Sequence, residues 1–120
     1  MAPLVAVVDD DVSVRKSLDR LIRSVRLEVE TFASAEEFLK SAPPLKPDCL
    51  VLDVSLPGMS GLELLKHIKQ KHREPPPVVM MITAYGDSDN YNSAMQLGAD
   101  DFLTKPLEFS LLKEKLKAIH

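Results

Sequence analysis

Cys49-Leu50-Val51-Leu52-Asp53 is four apolar residues closed by a carboxylate, with no alternation of apolar and polar positions. A strand with one face in water alternates; an unbroken apolar run of this length reads as a strand covered on both faces, the habit of a parallel sheet. Leu4 to Val8, Val78 to Ile82 and the shorter Phe102-Leu103 follow the same pattern. Glu28 to Phe32 instead alternates charged and apolar side chains, which places it at a wetter edge.

The segments between these runs carry a helical period. Val14, Leu18, Leu21, Ile22 and Val25 make one apolar stripe, Leu62, Leu65 and Ile68 a second, and Phe109, Leu112, Leu116 and Ile119 a third. Ser34 with Glu37 and Ser60 with Glu63 have the spacing of N-terminal capping boxes, and Gly98 after Leu97 suits a helix end. Asp87 or Ser88 is expected to start the helix that Gly98 closes. Pro43, Pro44, Pro47 and the Pro75-Pro76-Pro77 run fall between helix and strand, where they end one element before the next begins. Strand and helix thus alternate five times, which predicts a single doubly wound α/β domain: a five-stranded parallel sheet with helices on both faces.

Composition agrees. A chain of 120 residues, 45% hydrophobic and 28% charged, has the size of one globular domain. Fifteen Lys and Arg against eighteen Asp and Glu leave a net charge of -3, which argues against direct nucleic-acid binding by this segment. The single cysteine, Cys49, sits in an apolar run and reads as core. The longest charge-free stretch, Pro75 to Gly86, is shorter than the roughly 18 residues a membrane span needs. No basic residues followed by an apolar run open the chain, so no signal peptide is expected and a cytoplasmic location is.

In an open parallel sheet all strands end on one edge, and ligands bind there. The first apolar run ends in Asp9-Asp10-Asp11, the third in Asp53, the fourth in Thr83, and Lys105 follows the last. Three aspartates in a row are ordinarily a solvated loop or a helix cap, and Asp11 suits the cap of the helix through Val14 to Val25. Asp53 says more: a carboxylate at the centre of the sheet edge is costly without a cation or hydrogen-bond donors, and carboxylates from the first strand would repel it. A divalent cation resolves the conflict, and an all-oxygen site suits Mg²⁺, with Mn²⁺ an acceptable substitute. Asp9, Asp10 and Asp53 against Mg²⁺ and Lys105 sum to zero, ready for the negative charge of phosphoryl transfer. Lys105 and the Thr83 hydroxyl suit phosphoryl oxygens, and Asp53 can act as nucleophile to form an aspartyl-phosphate.

With the turn Leu56-Pro57-Gly58-Met59-Ser60-Gly61, Thr83-Ala84 and Lys105-Pro106, these residues resemble, over the whole chain, a response-regulator receiver domain of two-component systems. The resemblance implies a flavodoxin-like (βα)5 fold with strand order 2-1-3-4-5. It implies that Asp53 accepts a phosphoryl group from a histidine kinase, that Asp10, Asp53 and the Ser55 backbone carbonyl bind Mg²⁺ directly, and that Asp9 holds it through water. Thr83 and Lys105 would contact the phosphoryl oxygens, Ala84 would leave room for them, and the Lys105-Pro106 bond would be cis. Thr83 and Phe102 would form the switch that alters the surface of helix 4, strand 5 and helix 5. Phe stands where a Tyr would offer a hydroxyl, so the implied change would be carried by packing. Ser55 and Tyr85 occupy positions that in the family it resembles tune the aspartyl-phosphate lifetime. The implied partners are a sensor kinase or phosphotransfer protein and an output domain or target, with a phosphorylation-dependent homodimer also compatible. Val14 to Leu18 and Phe32 to Leu39 look similar to receivers of nitrogen-fixation-type transcription factors, and the chain is expected to be a receiver excised from a longer protein.

Other readings compete. Asp9-x-Asp11, Thr83 and Lys105 imitate the motif order of haloacid-dehalogenase-type phosphatases, but that reading leaves Asp53 and its Pro-Gly turn unexplained. A receiver-like binding module that is never phosphorylated leaves the complete acid set without a use. Asp87 to Gly98 is a poor calcium loop, with Asn92 where glycine is needed and Gly98 where a bidentate glutamate is needed. His67 and His72, among Lys66, Lys69, Lys71 and Arg73, read as a solvated helix face.

Overall fold

The computed structural model describes residues 3–41, 47–70, 76–83 and 88–118. The apolar runs become the strands β1 (Leu4–Val8), β2 (Glu28–Phe32), β3 (Cys49–Asp53), β4 (Val78–Thr83) and β5 (Asp101–Thr104). They form one sheet in the order β2-β1-β3-β4-β5, with every pairing parallel. The helices α1 (Val12–Ser24), α2 (Ala35–Ser41), α3 (Gly61–Gln70), α4 (Ser88–Gln96) and α5 (Phe109–Lys117) alternate with them. Among the described residues no helix is long and apolar enough to cross a membrane.

Strand pleating sends successive side chains to opposite faces, and each face has its own core. Val5, Val7, Cys49, Val51, Met80 and Ile82 pack against Leu18 and Ile22 of α1 and Leu112 and Leu116 of α5. Ala6, Val8, Leu50, Leu52, Val79 and Met81 pack against Phe38 of α2, Leu64 and Leu65 of α3 and Ala94 of α4. All five residues of β3 are buried, whereas β2 at the edge exposes Glu28 and Glu30 and buries Val29 and Phe32. Cys49 is buried in the first core, and burial pushes its thiol up to about 12, so it behaves as an inert hydrophobe.

The helix ends are set locally. Asp11 caps α1, its carboxylate accepting from the Ser13 amide at 2.8 Å. Ser60 and Glu63 form a reciprocal box on α3, at 3.1 and 3.4 Å, and the Glu37 amide donates to Ser34 Oγ at 3.1 Å. After α4, Gly98 (φ +100°) donates to the Met95 carbonyl and Ala99 to that of Ala94, a Schellman turn. The same turn ends α1 with Arg26 (φ +64°) in the left-handed position, where a side chain costs about 1 kcal/mol. Burial of Leu27 over Ile22 offsets that strain.

Two stripes differ from their sequence reading. α3 is centred on Leu64 and Leu65, with Leu62 and Ile68 only half-buried at its margins, because the sheet and α4 meet it over a broader face than one heptad seam. Phe109 is 46% exposed, and Leu107 packs on the core instead. The Phe109 ring lines a cleft of about 260 Å³ together with Ser13, Ser17 and Pro106. Pro43, Pro44, Pro75, His72, Ala84, Tyr85, Asp87 and Ile119 lie outside the described residues.

The register places the site. Val8 pairs with Leu52 and Asp53 with Ile82, so Asp9 and Asp53 leave the sheet side by side at its carboxyl edge, with Thr83 one residue further along β4.

Candidate functional site

Asp9, Asp10 and Asp53 each bring a carboxylate oxygen to within 4.8 Å of the others. Asp9 is wholly buried and Asp53 is 4% exposed, while Asp10 stands at the solvent side. Asp53 Oδ1 accepts from the Ser55 amide at 3.0 Å and Oδ2 from Lys105 Nζ at 3.1 Å. Asp9 Oδ1 accepts from the Asp11 amide at 2.8 Å, and its main-chain amide donates to the Phe32 carbonyl at 3.0 Å. Asp9 Oδ2 lies 3.3 Å from Lys105 Nζ, within ion-pair reach, yet it accepts no aligned hydrogen bond among the described residues. One ammonium is therefore shared between two buried carboxylates, a third stands beside them, and a lone pair of Asp9 is left over.

The titration directions follow from that imbalance. Burial raises the Asp9 carboxyl above its ordinary range; the Asp11 amide opposes this, the Asp53 charge adds to it, and Lys105 does not cancel the sum. Burial pulls the Lys105 ammonium down, but its hydrogen bond to Asp53 and the charges of Asp9 and Asp53 outweigh burial, and its pKa rises. Three hard oxygen donors with an excess of negative charge, one of them short of a partner, suit a divalent cation of the Mg²⁺ kind.

The local backbone keeps these groups in place. Gly61 opens α3 directly against the end of β3, where a Cβ would stand 2.0 Å from the Asp53 carbonyl oxygen, so only glycine allows the approach. The Lys105 amide donates to the Thr83 carbonyl at 2.8 Å and the Lys105-Pro106 peptide is cis. Thr83 is 2% exposed at the end of β4.

A family model of the response regulator receiver domain matches residues 5–117. The chain belongs to the response regulator receiver family. As a receiver it is a regulatory domain of two-component signalling. It is 48% identical over 103 residues to nodulation protein W of Bradyrhizobium diazoefficiens, which covers 86% of this chain and 44% of that one. It is 44% identical over 105 residues to the DNA-binding transcriptional regulator NtrC of Escherichia coli, covering 88% and 22%. The chain thus spans less than half of either relative. Among solved structures, a putative response regulator from Chloroflexus aurantiacus superposes with a TM-score of 0.92 at 34% identity, covering 99% of this chain and 98% of that one. The receiver fold does not favour the phosphatase reading, and neither does the site: Asp11 is engaged as a helix cap and Asp9 is wholly buried.

The receiver edge therefore joins four of the residues that sequence reading named, Asp9, Asp10, Asp53 and Lys105. Ser55 is present through its amide and Thr83 through its link to Lys105. Phe102 is elsewhere, half-buried on β5, with its ring edge-on to Tyr91 of α4 at 5.1 Å between centroids and 83° between planes. Two contacts escaped the sequence. Arg15 of α1 donates to the Asp9 carbonyl at 2.7 Å, and Glu36 of α2 accepts from the Met59 amide at 2.9 Å, which holds the β3–α3 loop and keeps the Glu36 carboxyl below its usual range. Nothing in the local period marks either; a cation in the first turn of α1, against the helix dipole, was the one available signal.

Proposed function

We propose that Asp53 is the phosphoacceptor, taking a phosphoryl group from the phosphohistidine of a sensor kinase or phosphotransfer protein. The observation that carries this reading is the buried Asp53 carboxylate held by Lys105 Nζ at 3.1 Å beside Asp9, whose Oδ2 lacks an aligned donor. An Asp53 carboxylate oxygen bonds to phosphorus as the P–N bond breaks, and the electron pair leaves on the imidazole nitrogen. Lys105 binds phosphoryl oxygens with its ammonium and Thr83 donates its hydroxyl to one. Asp9, Asp10, Asp53 and the Ser55 carbonyl hold Mg²⁺, or Mn²⁺ in its place. That ion supplies neutralising charge to the phosphoryl oxygens.

Drawing Thr83 toward the phosphoryl group leaves space beside β5, and Phe102 repacks into it. The surface of α4, β5 and α5 then changes for an output domain, a target protein or a second receiver. The match covers 22% of NtrC, a DNA-binding transcriptional regulator, which supports an output segment outside these residues. The domain is a regulator and not an enzyme acting on external substrate: the chemistry begins and ends on its own side chain. A cytoplasmic setting fits a kinase partner of this kind.

Incubation with a small acyl phosphate and Mg²⁺ tests the reading by intact mass. One labile phosphoryl adduct is expected on the wild type and none on Asp53→Asn. An adduct that survives Asp53→Asn but not Asp9→Asn points to the phosphatase reading, and no adduct on any form contradicts phosphorylation altogether.

A further inference from the structure

We propose that Arg15 is a positioning residue for the cation site, fixing the Asp9–Asp10 peptide so that both carboxylates stay within reach of Asp53; this rests on the phosphoacceptor reading above. The pairing of β1 with β3 ends at Val8 and Leu52, so the Asp9 carbonyl leaves the ladder. Arg15 Nη1 takes it up at 2.7 Å with a charge-assisted bond. A peptide is planar, so a bond that fixes this oxygen also fixes the plane from which the Asp10 side chain departs. Asp10 is exposed and lies between β1 and α1, belonging to neither. Asp9 is held on three other sides, by the Phe32 carbonyl at its amide, the Asp11 amide at Oδ1 and Lys105 at Oδ2.

The placement of Arg15 breaks a local rule. It is the fourth residue of α1, its side chain reaches back toward the helix start, and a cation there faces the positive end of the helix dipole. The first turn of α1 itself holds no acidic residue, and the carboxylate of its cap, Asp11, is engaged by the Ser13 amide at 2.8 Å. The compensation is the acid cluster, where Arg15 adds a second positive charge to that of Lys105. A residue that violates its helix to serve a neighbouring site is the pattern of function and not of folding.

Mg²⁺ titration by calorimetry on wild type, Arg15→Ala and Arg15→Lys, combined with phosphorylation by a small acyl phosphate across Mg²⁺ concentrations, tests this. Arg15→Ala is expected to weaken Mg²⁺ binding about tenfold, the low end of the range for groups that orient metal ligands. Its phosphorylation rate falls at low Mg²⁺ and recovers at saturating Mg²⁺, and Arg15→Lys restores most of the affinity. A merely structural role lowers the melting temperature equally with and without Mg²⁺ and leaves the affinity unmoved. Arg15→Ala within twofold of wild-type affinity overturns the proposal; if that variant does not fold, Arg15→Gln with wild-type affinity does so. A wild type that binds no Mg²⁺ overturns the metal reading itself, a separate result.

Discussion

The carboxyl edge of the sheet and the face formed by α4, β5 and α5 are held by opposite means. At the edge, Asp9 and Asp53 are buried and tied through main-chain amides, Lys105 and Arg15. On the other face, α4 buries Ala94 fully and leaves Tyr91 and Met95 47% and 40% exposed. Its aromatic hold on the sheet is the edge-on contact of Tyr91 with Phe102, and nearby Lys115 of α5 pairs with Asp101 of β5. The phosphoryl chemistry proposed for the edge needs positions fixed to a fraction of an ångström, which many short polar ties provide. The switch proposed for the other face needs two arrangements close in free energy, which thin packing provides.

The contrast can be broken most forcefully at Gly61. Gly61→Ala puts a methyl group 2.0 Å from the Asp53 carbonyl oxygen, and either α3 or β3 must move. A loss of about 3 kcal/mol in urea unfolding is expected, together with slower phosphorylation.

Asp9→Asn relieves the edge instead. Burial holds the folded-state pKa of Asp9 above its ordinary value of 3.8, so the folded chain binds more protons than the unfolded one in the window just above that value. The contribution of Asp9 is therefore present at pH below about 4 and lost as pH rises through the raised pKa. Without Mg²⁺, Asp9→Asn should be more stable than wild type by about 2 kcal/mol at pH 7, the scale of an imperfectly paired buried charge. Urea midpoints should converge toward pH 4, and added Mg²⁺ should narrow the gap by stabilising wild type more than the variant, which keeps Asp10 and Asp53.

Tyr91→Ala probes the thin face. It should cost about 1 kcal/mol, the value of an aromatic pair, while Mg²⁺ affinity stays within twofold of wild type. Tyr91→Phe should restore the stability, since the contact is made by the ring. A large loss of Mg²⁺ affinity in Tyr91→Ala would join the two regions that the comparison separates.

Arg26→Gly, outside both regions, should give the smallest effect. Relief of the left-handed strain is partly offset by the freedom glycine gains in the unfolded chain, leaving about 0.5 kcal/mol of stabilisation in the urea midpoint.

How much was legible follows the range of each interaction. β1, β3 and β4 were readable because burial on both faces leaves unbroken apolar runs, and β2 because an edge alternates. Asp11, Ser60 and Gly98 were readable because caps are made within three or four residues. The meeting of Asp9, Asp10, Asp53 and Lys105 followed from topology, since parallel strands share one edge. The breadth of the α3 contact through Leu64, the exposure of Phe109, the Tyr91–Phe102 pair, the reach of Arg15 and the hold of Glu36 on Met59 were not. Each depends on how two elements settle against each other, and a periodic stripe of one helix carries no record of that.

The most direct test of the central claim is chemical location of the phosphoryl group. Borohydride reduces an acyl phosphate on aspartate to homoserine with release of phosphate, and peptide mass mapping then reads the position. After treatment with a small acyl phosphate and Mg²⁺, homoserine at position 53 alone is predicted. Homoserine at position 9 or 10, or none under conditions where Mg²⁺ binds, contradicts the assignment of Asp53 as acceptor.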